Sequence, residues 1–188
     1  MKYDRQDVIE KATALFWEKG FHATSMRNLQ EVIDMRPGSI YAGFGSKEGL
    51  FKEALQCYAA TSLEKLAACK ETSASPLEAL KTFLQNSVKG CSSSPSGMCM
   101  LVKSVAELTE ENADLLAETR RLLQVVENAF AELLTQAKAT GELDESKNPQ
   151  RLARFLQMQL MGLRSYAYAK NDDIRGTELI DDAFACLQ

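Results

Sequence analysis

Glycine, proline and histidine are scarce in this chain, whose 188 residues include ten glycines, four prolines and a single histidine. Disordered chains and chains built of many short strands joined by turns are usually richer in glycine and proline. The abundant residues here are alanine, leucine, glutamate, lysine and glutamine, which favour helices. No segment alternates polar and apolar residues over the length of a strand, so we expect an all-α protein of about nine helices.

Long apolar runs are also missing, and none approaches the ~20 residues that are needed to cross a bilayer. The first residues are polar and mixed in charge, which does not resemble a signal peptide. We therefore expect a cytoplasmic protein without a membrane partner. The five cysteines are an odd number without paired spacing, so free thiols in a reducing compartment are expected.

Catalytic signatures are absent as well. The chain has no Gly-x-Ser-x-Gly elbow, no phosphate-binding P-loop and no pair of histidines on a helix. The one histidine, His22, falls in a predicted turn, and no cysteine pair has the spacing of a zinc site. We expect neither an enzyme nor a bound cofactor or metal.

The distribution of charge matters more than the net value of −4, which is unusual for a protein that binds nucleic acid. The first fifty residues carry seven Lys/Arg and seven Asp/Glu, so the acidic excess lies entirely in the remainder. Any contact with DNA in the first fifty residues would rest on a few placed cations.

Hydrophobic periodicity and capping residues divide the chain into helices. Thr24 is the expected N-cap of the second helix, and Ser75-Pro76 and Asn148-Pro149 open two later helices. The predicted segments are roughly 4–19, 25–32, 37–43, 46–70, 76–89, 98–108, 112–140, 149–169 and 175–187.

The second and third predicted helices form a tight pair joined by Asp34-Met35-Arg36. Helices under ~12 residues are marginal alone, so these two must pack against their neighbours. This layout predicts a helix-turn-helix head, whose second helix enters the major groove, over residues 1–48, with a sensing and dimerising body over 49–188. The expected core of the head is Phe16, Phe21, Leu29, Val32, Ile40, Phe44 and Leu50.

The outer face of the third helix is suited to close approach to DNA. Its exposed residues are expected to be small or cationic: Arg36, Gly38, Ser39, Ala42 and Gly43. Tyr41 can donate its hydroxyl to a phosphate, Lys47 lies in a helix first turn that attracts anions, and Arg27 can reach a guanine edge. Alternatively, Tyr41 belongs to the core and Lys47 is a solvated cap residue.

Three motifs in order resemble the signature of TetR-family transcriptional regulators: Phe16-Trp-Glu-Lys-Gly-Phe21, Thr24-Ser-Met-Arg-Asn-Leu29 and the segment Gly38–Phe51. The resemblance covers roughly residues 5–55 and implies a regulator, expected to be a repressor, that binds a near-palindromic operator as a dimer. The resemblance places Arg27, Ser39, Tyr41 and Lys47 at positions that commonly contact DNA. Ser25, which belongs to the same motif as Arg27, is also a predicted DNA contact. Ala42-Gly43 stands where many members carry aromatic or histidine residues.

The last two predicted helices are strongly apolar, and we expect them to form a homodimer interface. The first of them carries Leu152, Phe155, Leu156, Leu160, Leu163 and Tyr166, with Met158, Met161 and Gly162 widening the apolar arc. The second adds Ile174, Leu179, Ile180, Ala183, Phe184 and Leu187. The alternative is that these faces only complete the core of the monomer.

The body is expected to receive a signal from a small molecule or an electrophile. Polar residues near apolar faces, Arg120, Gln124, Gln159 and Arg164, are candidate ligand contacts, or else ordinary surface residues. Cys91 and Cys99 bracket a Ser/Pro/Gly loop, and Lys103 follows Cys99 by one helical turn, where a cation favours a thiolate. Alternatively, these cysteines pack as small apolar residues. The competing function is a helical adaptor that binds protein and no DNA.

Overall fold

The expected all-α fold is confirmed in the computed structural model, which describes residues 4–89, 91, 94–171 and 173–187. In these residues there is no strand, and the elements are α1 (Arg5–Lys19), α2 (Met26–Ile33), α3 (Pro37–Phe44), α4 (Lys47–Thr72), α5 (Pro76–Val88), α6 (Met100–Glu107), α7 (Ala113–Ala139), α8 (Pro149–Lys170) and α9 (Asp173–Ala185). A 3-10 turn, Glu110–Asn112, precedes α7. No helix among the described residues is long and apolar enough to cross a membrane.

Capping residues set most helix starts as predicted, with one correction. Ser75 and Asn148 accept hydrogen bonds from backbone N–H groups in the first turns of α5 and α8. The N-cap of α2 is Ser25 and not Thr24. Thr24 is fully buried and donates its hydroxyl proton to the carbonyl of Gly20 at 2.6 Å, so its side chain closes the turn after α1 instead.

The first compact unit comprises Met1–Ala60 and Met100–Leu123. Its core is aromatic: the ring of Phe51 lies 4.8 Å from that of Phe16 and 4.9 Å from that of Phe21. Six of the seven residues expected in the head core are buried, and Val32 is the exception at 41% exposure. The buried side of α2 is set by Leu29 and Ile33, four positions apart, and this turns Val32 outward.

The second compact unit comprises Thr61–Cys99 and Gln124–Gln188. Helices α5, α8 and α9 pack on one another there. An edge-to-face pair of Phe83 and Phe130, with ring centroids 5.7 Å apart, fills its centre, and Leu80, Leu134 and Leu156 are fully buried around it. Both α4 and α7 contribute residues to each unit, so the unit that contains the head is larger than the predicted 1–48 segment. The division at residue 48 stays a prediction.

Candidate nucleic-acid interface

The helix pair α2 and α3 is shaped by local backbone signals. The Ser25 hydroxyl accepts a hydrogen bond from the N–H of Asn28 at 3.1 Å, and the Asn28 side chain accepts one from the N–H of Ser25 at 3.0 Å. This reciprocal capping box starts α2. Asp34 ends it in the left-handed conformation, with φ of 51°, and Pro37 occupies the first turn of α3. The turn between the two helices therefore has a defined geometry.

Helix α3 is anchored on one side only. Ile40 and Phe44 are its buried residues. The opposite side is exposed at Gly38, Ser39, Tyr41 and Ala42, and Tyr41 is 50% exposed. Tyr41 is thus a surface residue and not part of the core. The predicted DNA-binding residues of α3 face outward, with the exception of the half-buried Gly43.

The predicted cationic side chains differ in their exposure and in their contacts within the protein. Arg36 is exposed, and the Arg27 side chain is 86% exposed although its Nε lies 2.9 Å from Oε1 of Glu31. Such a surface ion pair is weak, so Arg27 can exchange partners easily. The Lys47 ammonium lies 4.3 Å from the centroid of the Phe21 ring. Burial lowers the pKa of Lys47 below its ordinary value, although the carboxylates of Glu48 and Glu107 act in the opposite direction.

Two glycines close to the interface have opposite reasons to be glycine. A Cβ on Gly49 would lie 2.0 Å from the carbonyl oxygen of Phe44, so the fold itself requires glycine there. A Cβ on Gly38 would meet nothing within 4 Å. Glycine in a helix costs up to about 1 kcal/mol relative to alanine, and no contact in the described part of the chain explains that cost at Gly38.

Three residues that sequence reasoning did not assign to the site hold the head together. The Arg5 guanidinium donates a hydrogen bond to the carbonyl of Gly43 in α3 at 3.0 Å. The Lys103 ammonium of α6 donates to the carbonyls of Trp17 and Glu18 at 3.0 and 2.7 Å. Glu107, one turn further along α6, accepts a hydrogen bond from the N–H of Phe21. In the sequence, each of the three is only a charged residue within a predicted helix, which does not indicate a contact with the head.

The two candidate cysteines lie in different environments. Cys91 is buried, and its thiol donates a hydrogen bond to the carbonyl of Ser87 at 3.2 Å. Cys99 is half-buried and directly precedes α6. Part of the loop between them, residues 92–93, lies outside the described residues. The Lys103 ammonium, expected near Cys99 from its spacing of one helical turn, donates hydrogen bonds to two carbonyls at the end of α1. Its effect on the Cys99 thiol stays a prediction.

The candidate ligand residues are not all in one environment. Arg120 and Gln124 lie on exposed positions of α7, and the Gln124 amide donates to Glu127 and Asn128 of the same helix. Gln159 and Arg164 are half-buried on α8. A cleft of about 530 Å³ in the second unit is lined by other, mostly polar residues: Asn128, Ala131, Glu132, Thr135, Gln136 and Gln150. The role of the four predicted residues stays a prediction.

The outward faces of α8 and α9 keep large apolar side chains at the surface. Met158 is 63% exposed, Tyr166 40%, and Leu179 40%. On the same face of α8 as Met158 and Tyr166, a Cβ on Gly162 would meet nothing within 4 Å. By contrast, Leu156 and Leu163 are buried in the second unit, so α8 has one face inside and an apolar face outside.

An all-helical chain with an outward short helix after a tight turn is the architecture of a helix-turn-helix regulator. Two family models match: bacterial regulatory proteins of the tetR family over residues 8–54, and the tetracyclin repressor-like C-terminal domain over residues 76–180. The chain belongs to the TetR family of bacterial regulatory proteins, as the motifs had predicted. This assignment does not favour the adaptor alternative.

Similar proteins that match along most of their length are described as helix-turn-helix transcriptional regulators or as TetR-family regulators. The repressor ComR of Escherichia coli is 29% identical over 167 residues, covering 86% of this chain and 78% of ComR. The regulator YezE of Bacillus subtilis is 27% identical over 192 residues, covering 99% of this chain and 97% of YezE. A cysteine mutant of the TetR-family regulator CifR, solved with a 26-bp double-strand operator DNA, has a TM-score of 0.89 at 25% identity, covering 100% of this chain and 98% of CifR.

Proposed function

We propose that this chain is a transcriptional repressor that binds a near-palindromic operator as a homodimer and leaves it when a signal reaches the body. The observation that supports this most directly is the outward side of α3, where Gly38, Ser39 and Tyr41 are exposed while Ile40 and Phe44 anchor the helix. A short helix presented in this way fits the major groove. Repression is proposed because ComR is described as a repressor, and operator binding because CifR is solved on its operator.

The roles within the DNA contact follow from side-chain chemistry. Tyr41 and Ser39 carry hydroxyls that can donate to phosphates, and exposed Arg27 and Arg36 supply cations. Lys47 binds the Phe21 ring in the free protein. A phosphate near this half-buried ammonium would favour its charged form, so Lys47 remains a proposed phosphate contact. Ser25 caps α2 and is exposed two positions before Arg27, where its hydroxyl is a further proposed DNA contact.

A dimer is supported by the outward face of α8 and α9. Met158 and Tyr166 of α8 and Leu179 of α9 are exposed apolar side chains, which a second copy would cover. Gly162 lies in the interior of α8, where glycine is unfavourable, and its open side allows another helix to approach closely. Two linked heads bind two half-sites, which raises the effective concentration of the second head.

The proposed signal is a small molecule or a thiol-reactive compound that acts on the body. Cys99 is the more accessible of the two candidate cysteines, and α6 begins at the next residue. Lys103 and Glu107 of α6 form hydrogen bonds with the end of α1 and the turn after it. A change at Cys99 that shifts α6 would therefore alter contacts of the head. Typical coupling of about 1–3 kcal/mol changes affinity by roughly 5- to 150-fold.

The test is a selection of DNA from a pool of random duplexes by the purified protein, followed by titration of the selected duplex over a series of salt concentrations. We expect a near-palindromic sequence, a dimer in sedimentation, and an affinity that falls steeply with salt. A scrambled duplex of the same composition is the control. Failure to enrich any sequence, with equally weak binding to both duplexes, would contradict the proposed function.

A further inference from the structure

The orientation of α3 depends on how its two ends are held. Helix α3 has eight residues, and its N-cap, Arg36, makes no side-chain capping hydrogen bond. Ile40 and Phe44, four positions apart, anchor it along one line. These two buried side chains hold one side of the helix against the core. A third contact, away from the line that joins them, would restrain rotation of the helix about that line.

Arg5 supplies this third contact at the C-terminal end of α3. The last carbonyls of a helix have no partner within it. Here the Tyr41 and Phe44 carbonyls accept hydrogen bonds from the N–H groups of Gly45 and Ser46, both at 2.9 Å. The Gly43 carbonyl accepts one from Nη1 of Arg5 at 3.0 Å. A cation at this end of the helix is also favoured by the helix dipole.

The guanidinium is itself held in place by two more contacts. Its Nη2 lies 2.6 Å from Oε1 of Glu53 in α4, and its Cζ lies 4.4 Å from the centroid of the Phe44 ring. Arg5 thus joins the first turn of α1, the end of α3 and the body of α4 through one planar group. A lysine ammonium at this position lacks the planar fork that makes several directed contacts at once.

We propose that Arg5 is a positioning residue for the recognition helix, which sets the angle of α3 through Gly43, Phe44 and Glu53 without touching DNA. This inference rests on the proposed operator binding. Because base edges are read by short directed contacts while phosphates are reached by flexible cations, a change of angle weakens the reading of sequence more than general attraction to DNA. The expected signature is a loss of specificity at constant salt dependence.

The experiment compares the full-length Arg5→Lys, Arg5→Ala and Lys11→Ala variants with the unaltered protein. The probes are the duplex that the unaltered protein selects from a random pool and a scrambled duplex of the same composition. Lys11 is the matched control, since it is an exposed cation of α1 whose ion pair, among the residues that the structure describes, is with Asp7 of its own helix. We expect Arg5→Lys and Arg5→Ala to lose roughly tenfold or more in affinity for the selected duplex. Binding to the scrambled duplex should be unchanged, as should both affinities of Lys11→Ala.

The salt series separates the possible roles of Arg5. A phosphate contact would make Arg5→Ala lose affinity for both duplexes, with a smaller salt slope, while Arg5→Lys kept its affinity; this result would overturn the inference. The inference would also be overturned if the Arg5 variants melted at a lower temperature but kept full specificity at low temperature, because Arg5 would then serve stability alone. Arg5→Lys keeps the charge, so it provides the measurement if Arg5→Ala does not fold. If the unaltered protein selects no duplex, the proposed function fails; if it does and Arg5→Lys is equally specific, only this inference fails.

The Glu53 partner gives an independent check on the same variants. If Glu53 acts by orienting Arg5, Glu53→Gln should lose part of the specificity that Arg5→Ala loses. The Arg5→Ala/Glu53→Gln double variant should then lose no more than Arg5→Ala alone. Additive losses would mean that the two residues act separately, which contradicts positioning through the guanidinium.

Discussion

Glu107 accepts a hydrogen bond from the backbone N–H of Phe21 at 2.7 Å, across 86 positions of the chain. The same carboxylate also packs tightly against Gly20, whose φ is +88°. A Cβ on this glycine would lie 2.3 Å from Oε2 of Glu107. The Lys47 ammonium in turn lies over the ring of Phe21. Glu107 therefore stabilises the turn after α1 and, through Phe21, the start of α4.

Replacing Glu107 should loosen the head. We expect Glu107→Ala to lower the free energy of unfolding by about 1–3 kcal/mol, because it leaves the N–H of a buried residue without its acceptor. Glu107→Gln keeps an oxygen that can accept this bond and should lose less. Denaturant unfolding measures the stability, and titration with the selected duplex measures the DNA affinity, which should fall in the same order. Equal stability of both variants and the unaltered protein would contradict this role.

A second prediction concerns Gly38, which has room for a side chain in the free protein. Gly38→Ala should raise the free energy of unfolding by roughly 0.5–1 kcal/mol, because alanine restricts the unfolded chain and favours the helix. The same change should weaken operator binding, because the added methyl group separates α3 from DNA. Gly162→Ala is the matched control for stability alone: it should also stabilise the isolated fold, whereas any change in its operator affinity would report on the proposed dimer contact and not on the head. A Gly38→Ala variant with full operator affinity would show that the glycine does not serve DNA approach.

A third prediction separates reading of sequence from attraction to phosphates. Arg27→Ala should relax the preference for one base pair of the selected duplex, whereas Tyr41→Phe should weaken binding to all sequences alike by removing a hydroxyl donor. Selection from a random pool, repeated with each variant, measures this difference. Glu31→Gln frees Arg27 from its ion pair, so its selected sequence should match that of the unaltered protein. A Tyr41→Phe variant that selects a different sequence would reverse the assignment.

The helices and the anchoring of α3 could be predicted from sequence because their causes are local. Capping residues such as Ser75 and Asn148 act within four positions, and Ile40 and Phe44 share a face by helical spacing. Arg5 could not be assigned, because its partners lie 38 and 48 positions away and no local pattern brings them together. The prediction that Val32 is buried is wrong for a related reason: periodicity shows that a face is apolar, but only the packing partners decide where that face ends.

A fourth prediction follows from Glu118, whose carboxylate joins α7 to α4. It accepts hydrogen bonds from Arg121 at 2.7 and 2.8 Å and from Gln56 at 2.7 Å. The hydrogen bond from Arg121 is the main cause that lowers the pKa of Glu118 from its ordinary 4.5 to about 2. Because the folded state favours the ionised form, its stabilising effect is complete above pH 4.5 and is lost as the pH falls from 4.5 to about 2.

Unfolding of Glu118→Gln across this pH range tests the prediction. The variant should be less stable than the unaltered protein at neutral pH, by about 1 kcal/mol or less because the ion pair is partly exposed. The difference should shrink as the pH falls through the range given above. Glu111→Gln removes an exposed carboxylate from the 3-10 turn before α7 and serves as the control. A stability difference that does not change with pH would contradict the assigned cause.

The fifth prediction concerns the signal and distinguishes the two candidate cysteines. Cys91 is 2% exposed and its thiol is bound to the carbonyl of Ser87, so an electrophile must first open the core to reach it. Cys99 is half-buried, and an adduct there adds volume immediately before α6.

In a parent variant with Cys57 and Cys186 replaced by serine, we expect N-ethylmaleimide to modify Cys99 first, as seen by mass spectrometry, and to release the selected duplex. Cys99→Ser in that background should abolish release, whereas Cys91→Ser should keep it. Release that persists in Cys99→Ser and disappears in Cys91→Ser would assign the signal to the buried thiol. No release of the parent variant, in which Cys91 and Cys99 are both present, would leave a small molecule that binds without thiol chemistry as the effector.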